Sequence, residues 1–182
     1  MADRFKDALA FAWRPENDGQ SYHTDAGDPG GGTAWGVTEG TWATAVQHGL
    51  VSGTLATAGK GDLATVLRVM FWNAVRGDAL PAGVDTLTFD MAMLAGPGRA
   101  TKLLQRALGV DQDGLIGPLT LLAVHGQPAK TLITQMAAAD DGFFEGLMTF
   151  RLFGRGWERR IADAQRLALI LAAMPTTTVG HA

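Results

Sequence analysis

DRFKDALAFAWRPENDGQSYHTDAGDPGGGTAWGVTEGTWATAVQH, residues 3–48, is the stretch whose reading decides the fold. Phe5, Ala8, Leu9, Ala12 and Trp13 fall at i, i+3, i+4, i+7 and i+8, which predicts an amphipathic helix over 3–14. Pro15 stops it, because the residue before a proline is pushed out of the helical region. Residues 16–38 are glycine-rich and lack helical periodicity, so they read as a long loop with a short hairpin. Long loops inside compact domains are usually functional or disordered, and Tyr22 and Trp35 argue for order here. Thr38 is a cap for a helix running to about His48.

Outward from that stretch the pattern is helical throughout. Asp62 is placed to cap a helix with Leu63, Val66, Leu67, Met70 and Ala74 on one face. Pro81 and Gly83 precede a helix near 84–95, and Ala100, Leu103, Leu104, Ala107 and Leu108 mark another that Gly109 ends. DQDGLIGPLT is a turn into a helix starting at Pro118, the favoured first position. Helices near 128–150 and 157–174 complete a mainly α chain, with 175–182 as a loose tail.

Composition narrows the function classes. At 182 residues and 47% hydrophobic, the chain suits one domain with a proper core. With no cysteine there is no disulfide framework, thiolate zinc site, iron–sulfur cluster or cysteine nucleophile. A net charge of −3 and a pI near 5.7 argue against nucleic acid as a partner. Mean hydropathy is +0.08, but the longest apolar run near the C-terminus, Leu167 to Met174, is too short to span a bilayer. Neither Ser21 nor Ser52 lies in a Gly-x-Ser-x-Gly elbow. Histidines 23, 48, 125 and 181 never pair at metal-ligand spacing, and DQDG at 111–114 lacks the bidentate glutamate of a calcium loop, so neither metal nor cofactor is expected.

Chemistry points to the loop. Glu16, one of four glutamates, follows the first helix and precedes Tyr22, Asp28 and Thr33. Glycan hydrolysis uses a carboxylic acid to protonate the leaving glycosidic oxygen, with a second polar group steadying water or developing charge. Turns use the same residues, so spacing alone leaves Glu16 either that acid or a solvated residue, and Asp28 either a second carboxylate or a turn cap. Asp25 reads as a loop-ordering residue. Tyr22 and Trp35 are candidates for stacking on sugars or for core packing, and Trp72 and Trp157 for core. Arg151, Arg155, Arg159, Arg160 and Arg166 read as a solvated helix face.

YHTDAGDPGGGTAWGVT, residues 22–38, resembles the Y-x-x-D-x-x-D-P-G-G-x-T-x-x-G-[IV]-T signature of phage and prophage N-acetylmuramidases, glycoside hydrolase family 108. FWNAVRGDALPAGVDTLTFDMA resembles that family's tryptophan–proline–aspartate stretch, and RATKLLQRALGVDQDGLIGPLTLLAV its adjoining peptidoglycan-binding-like helical segment. GRGWERRI at 154–161 is similar to its closing arginine-rich helix. Two features depart from the pattern. Glu16 and Tyr22 are three residues further apart than in the usual Glu-Gly-Gly-Tyr, and Leu94 stands where the family has asparagine.

The resemblance implies a lysozyme-like fold with a catalytic lobe over 1–95 and a helical, peptidoglycan-binding-like lobe over 96–174. It implies cleavage of the β-1,4 bond between N-acetylmuramic acid and N-acetylglucosamine, with Glu16 as catalytic acid. Asp28 and Thr33 match the spacing in the glutamate–aspartate–threonine set of small phage lysozymes, which implies a water-activating pair. Tyr22, Trp35 and Asp90 are then expected on the substrate. The expected partner is the peptidoglycan glycan strand, met by a monomer without a membrane-spanning segment. The N-terminus lacks the pattern of a signal peptide, so a chain made in the cytoplasm would reach the wall after release through a holin or another route. The alternative is a wall-binding, phage structural or secretion-assisting protein that keeps the scaffold without catalysis, with Leu94 and the longer loop as its marks.

Overall fold

The computed structural model describes residues 3–15, 17, 19–24 and 31–174, with 152 and 153 described by backbone alone. It is mainly helical, as expected. Among the described residues α1 (Arg4–Ala12), α2 (Glu39–Gln47), α3 (Lys60–Leu67), α4 (Val84–Ala95), α5 (Pro97–Leu108), α6 (Pro118–His125), α7 (Ala129–Glu145) and α8 (Phe150–Ala173) accompany the hairpin β1 (Thr33–Ala34) and β2 (Val37–Thr38).

Helix α4 lies at the centre. Every residue from Val84 to Ala92 is buried, the signature of a helix surrounded by protein on all sides. It packs on α1, α5, α7 and α8. One apolar cluster joins α1, α2, α3 and the hairpin to Phe89, and a second joins α5, α7 and α8 to Val84, Leu87, Met91 and Ala92. Phe5, Trp72 and Phe89 meet edge to face at 5.6–5.7 Å, the arrangement that ring quadrupoles favour. Arg4 adds a polar link from α1: its Nη1 donates to the Leu80 carbonyl at 2.8 Å and stands 3.0 Å from Asp85 Oδ2. Gly96 separates α4 from α5 in the chain, and the two helices pack in one apolar cluster.

Local signals set several ends as anticipated. Thr38 Oγ1 accepts the Thr41 N–H at the start of α2, Gly109 takes the left-handed conformation after α5, and Pro118 opens α6. Elsewhere tertiary structure overrides the pattern. Helix α3 is capped by Gly59, not Asp62, which falls in the first turn, where the helix dipole favours an acid. The chain then widens into a π turn over Arg68–Trp72, with Asn73 N–H bonded to the Arg68 carbonyl. The wider turn rotates the buried face, so Trp72 and Val75 enter the core while Ala74 is exposed. Helix α7 ends at Glu145, not near 150, and α8 begins at Phe150, seven residues ahead of the expected start. Gly156, exposed in α8, weakens it by roughly 1 kcal/mol relative to alanine, but burial of Ile161, Ala164 and Ala168 further along keeps it helical.

The arginines of α8 do not all face water. Arg160 is only 6% exposed; its Nε and Nη2 donate to Asp90 of α4 at 3.0 and 2.8 Å. Arg151, Arg155, Arg159 and Arg166 are exposed as expected.

Candidate active-site loop

The loop grows from the end of α1. Trp13 closes the helix by donating its N–H to the Leu9 carbonyl, two residues ahead of Pro15. The turn that follows is tied back on α1: the Asn17 side chain donates to the Phe11 carbonyl at 2.9 Å, and both Asn17 N–H and Gly19 N–H donate to Arg14 O at 2.9 and 3.0 Å. Glu16 lies within this turn in sequence but outside the described residues, as do Asp25 and Asp28.

The other side of the loop is the hairpin. Thr33 pairs with Thr38 and Ala34 with Val37, joined by Trp35 and Gly36 at φ 50° and 80°. Two consecutive positive φ values are those of a type I′ turn, whose twist matches the strands. Gly36 adopts this freely, whereas Trp35 is strained there. Trp13 compensates, its indole N–H donating to the Trp35 carbonyl at 3.0 Å. The returning chain is held by a bridge between His23 and Thr33, with N–H···O bonds of 3.0 and 2.9 Å, and by Trp35 N–H on the Gln20 carbonyl at 2.8 Å.

Tyr22, Thr33 and Trp35 are therefore brought together on one framework, built on α1. Tyr22 is 37% exposed, and its hydroxyl donates to Glu39 Oε1 at 2.7 Å. Its ring lies so close over Gly32 that a Cβ there would displace it. The Glu39 carboxylate, through that hydrogen bond and its charge, holds the Tyr22 phenol above its ordinary value of 10.0. Glu39 was missed as a partner of Tyr22, because nothing in the sequence between them marks the pairing.

Trp35 does not offer a bare face. Lys60 Nζ sits 3.6 Å from its ring centroid, and Trp13 meets it edge to face at 5.4 Å. Asp90 departs furthest from expectation. Its carboxylate is 2% exposed and engaged by Arg160, a position that does not fit contact with a substrate in solvent. Asp140 of α7, also buried, is pushed well above the usual carboxylate range by burial and by the charge of Asp90. Trp72 is fully buried and Trp157 packs against Phe144 at 4.7 Å. Asp113 of the DQDG turn accepts the Leu115 N–H and the Gln105 amide, so it organises the approach to α6.

Residues 14–96, which contain the loop and extend through α4, match the family model of glycosyl hydrolase 108. Among solved structures the chain is similar to that of Brucella abortus SagA, at 37% sequence identity and a TM-score of 0.83, over 93% of this chain and 96% of that one. No curated protein matches it. By that likeness the chain belongs to the family of Brucella abortus SagA, and it carries a glycosyl hydrolase 108 region.

Proposed function

We propose that this member of the SagA family is a peptidoglycan hydrolase, an N-acetylmuramidase of the endolysin type. It cleaves the β-1,4 bond between N-acetylmuramic acid and N-acetylglucosamine by general acid catalysis. Glu16 gives its proton to the leaving glycosidic oxygen. Asp28, with Thr33, activates the water that attacks the sugar. The observation that carries this reading is the glycosyl hydrolase 108 match across 14–96, which includes a loop whose two described sides are each bonded to the end of α1. A proton donor must be held within hydrogen-bond reach of its acceptor, and a loop anchored in this way supports such positioning. Release through a holin or another route brings the enzyme to the wall.

The test is Glu16→Gln, which keeps size and shape but removes the transferable proton. Clearing of purified sacculi and the appearance of reducing ends should fall by roughly 10²–10⁴-fold, with circular dichroism and the thermal melt unchanged. Wild-type clearing by the folded variant would refute Glu16 as the acid and turn attention to Glu39. Binding of sacculi by the unmodified protein without new reducing ends would favour the non-catalytic wall-binding reading.

A further inference from the structure

Lys60 differs from Arg4, Lys6 and Arg68, and shares with Arg14, 5.0 Å from the Phe11 ring, a seat on an aromatic face. Arg4 stands against Asp85, Lys6 against Asp3, and Arg68 against Asp3 and Asp78. Among the described residues the Lys60 ammonium has no carboxylate within ion-pairing distance. Its neighbours are aromatic: the Trp35 ring at 3.6 Å and the Trp13 ring at 5.7 Å. Asp62, in the same first turn of α3, does not reach it.

Among the described residues this arrangement holds a charge without neutralising it. A cation over an indole is attracted by the ring quadrupole, and the contact reduces the rotamer freedom that a lysine loses when it pairs. The ring covers one side of the ammonium, and Lys60 remains exposed, so N–H donors are left for an anion. A neutral sugar stacking on this face of Trp35 would have to displace the ammonium first. The position matters as well: Trp13, which walls the pair, lies three residues before Glu16, and Thr33 lies two before Trp35.

We propose that Lys60, seated on Trp35, is a specificity residue that pairs with a carboxylate of the glycan, so that the site takes acidic amino-sugar chains in preference to neutral ones. This rests on the hydrolase reading above for the class of substrate. The carboxylate belongs to a lactyl ether on the sugar or to a peptide joined through it; both present the same anion.

Binding tests this without turnover. Titration calorimetry in the Glu16→Gln background would compare Lys60, Lys60→Met and Lys60→Arg. Three oligomers of equal length serve as probes: a peptide-free N-acetylglucosamine–N-acetylmuramic acid chain, the same chain bearing stem peptides, and a chitin oligomer. Lys60→Met should weaken binding of a carboxylate-bearing chain roughly tenfold or more, the loss that goes with a charge-assisted hydrogen bond. It should leave the chitin oligomer bound as well as before or better, and Lys60→Arg should retain most of the preference. Loss confined to the peptide-free chain assigns the lactyl carboxylate; loss confined to the peptide-bearing chain assigns the peptide. Equal loss on charged and neutral chains, or no loss on either charged chain by a variant with an unchanged thermal melt, overturns the proposal. If Lys60 discriminates while the unmodified protein produces no reducing ends, the proposal about Lys60 stands and the hydrolase reading fails.

Discussion

Replacing Arg160 by methionine tests what holds α8 to α4 and what Asp90 is for. The guanidinium makes contacts of 2.8, 3.0 and 3.3 Å with the two Asp90 oxygens, and both residues are almost fully buried. Removing one partner of such a pair costs about 3–5 kcal/mol, because a charge is left in the interior without its counterion. For a chain of this size each kcal/mol lowers the melting temperature by about 2–4 °C, so Arg160→Met should lower it by roughly 6–20 °C. The double variant Asp90→Leu/Arg160→Met should lose clearly less than the sum of the single variants, because neither charge is then stranded. Denaturant unfolding and a double-mutant cycle measure both. A single variant within about 1 kcal/mol of the unmodified protein, or strict additivity in the double variant, would refute the argument. A further outcome bears on function: folded Asp90→Asn, assayed below its melting transition, should clear sacculi nearly as well as the unmodified protein, whereas a substrate contact would be lost at any temperature.

Two other outcomes follow from single groups. Asp85 is pushed up to about 6 by burial, against the opposing pull of Arg4 and of N–H donors from Thr86 and Gly83. The folded chain therefore binds more protons than the unfolded one between about 4 and 6, so this carboxyl contributes stability below that window and loses it as pH rises, on the order of 3 kcal/mol in all. The difference in unfolding free energy between the unmodified protein and Asp85→Asn should shrink over that window, and a difference independent of pH would contradict this. Tyr22 is the single tyrosine, so its phenol can be titrated by absorbance without interference from another. Its midpoint should lie above 10.0 and fall toward that value in Glu39→Gln; an identical midpoint in both proteins would show that the two side chains are not bonded in solution.

Much of the helical frame is legible in the sequence because its signals are local. The apolar spacing of α1, the cap at Thr38, the glycine after α5 and the proline that opens α6 each act within a turn of themselves. What escapes is set at a distance. The π turn at Arg68–Trp72 exists because Trp72 packs against Phe5 and Phe89 from two other helices, and a period of 3.6 therefore puts Ala74 on the wrong face. The glycines of α8 argue for a break that packing against α4 and α7 overrides. Arg160 looks like one more exposed arginine until α4 supplies Asp90, seventy residues away. At the candidate site the loop itself is marked by its composition, and Tyr22, Thr33 and Trp35 are held on one framework there. Nothing marks Lys60, because its partner Trp35 lies in the hairpin turn, twenty-five residues earlier, and no local pattern records a cation standing on an indole.

The two cores explain how the described ends of the loop are held. Phe11 of α1 belongs to the cluster built with α5, α7 and α8, while Phe5, Ala8, Leu9 and Ala12 belong to the one built with α2, α3 and the hairpin. The last turn of α1 is thus gripped from both sides, and from it leave the two groups that fasten the loop: the Trp13 indole on Trp35 and the Phe11 carbonyl that receives Asn17. Rigid elements carry loops that do chemistry, and precision in the loop derives from them. The same anchoring sets the Trp35 ring, and with it the Lys60 ammonium. Pairing that lysine with an aspartate would have fixed it equally well, but the charge would have been spent inside the protein. Seated on an aromatic face, the ammonium keeps N–H donors for the acidic ligand proposed above.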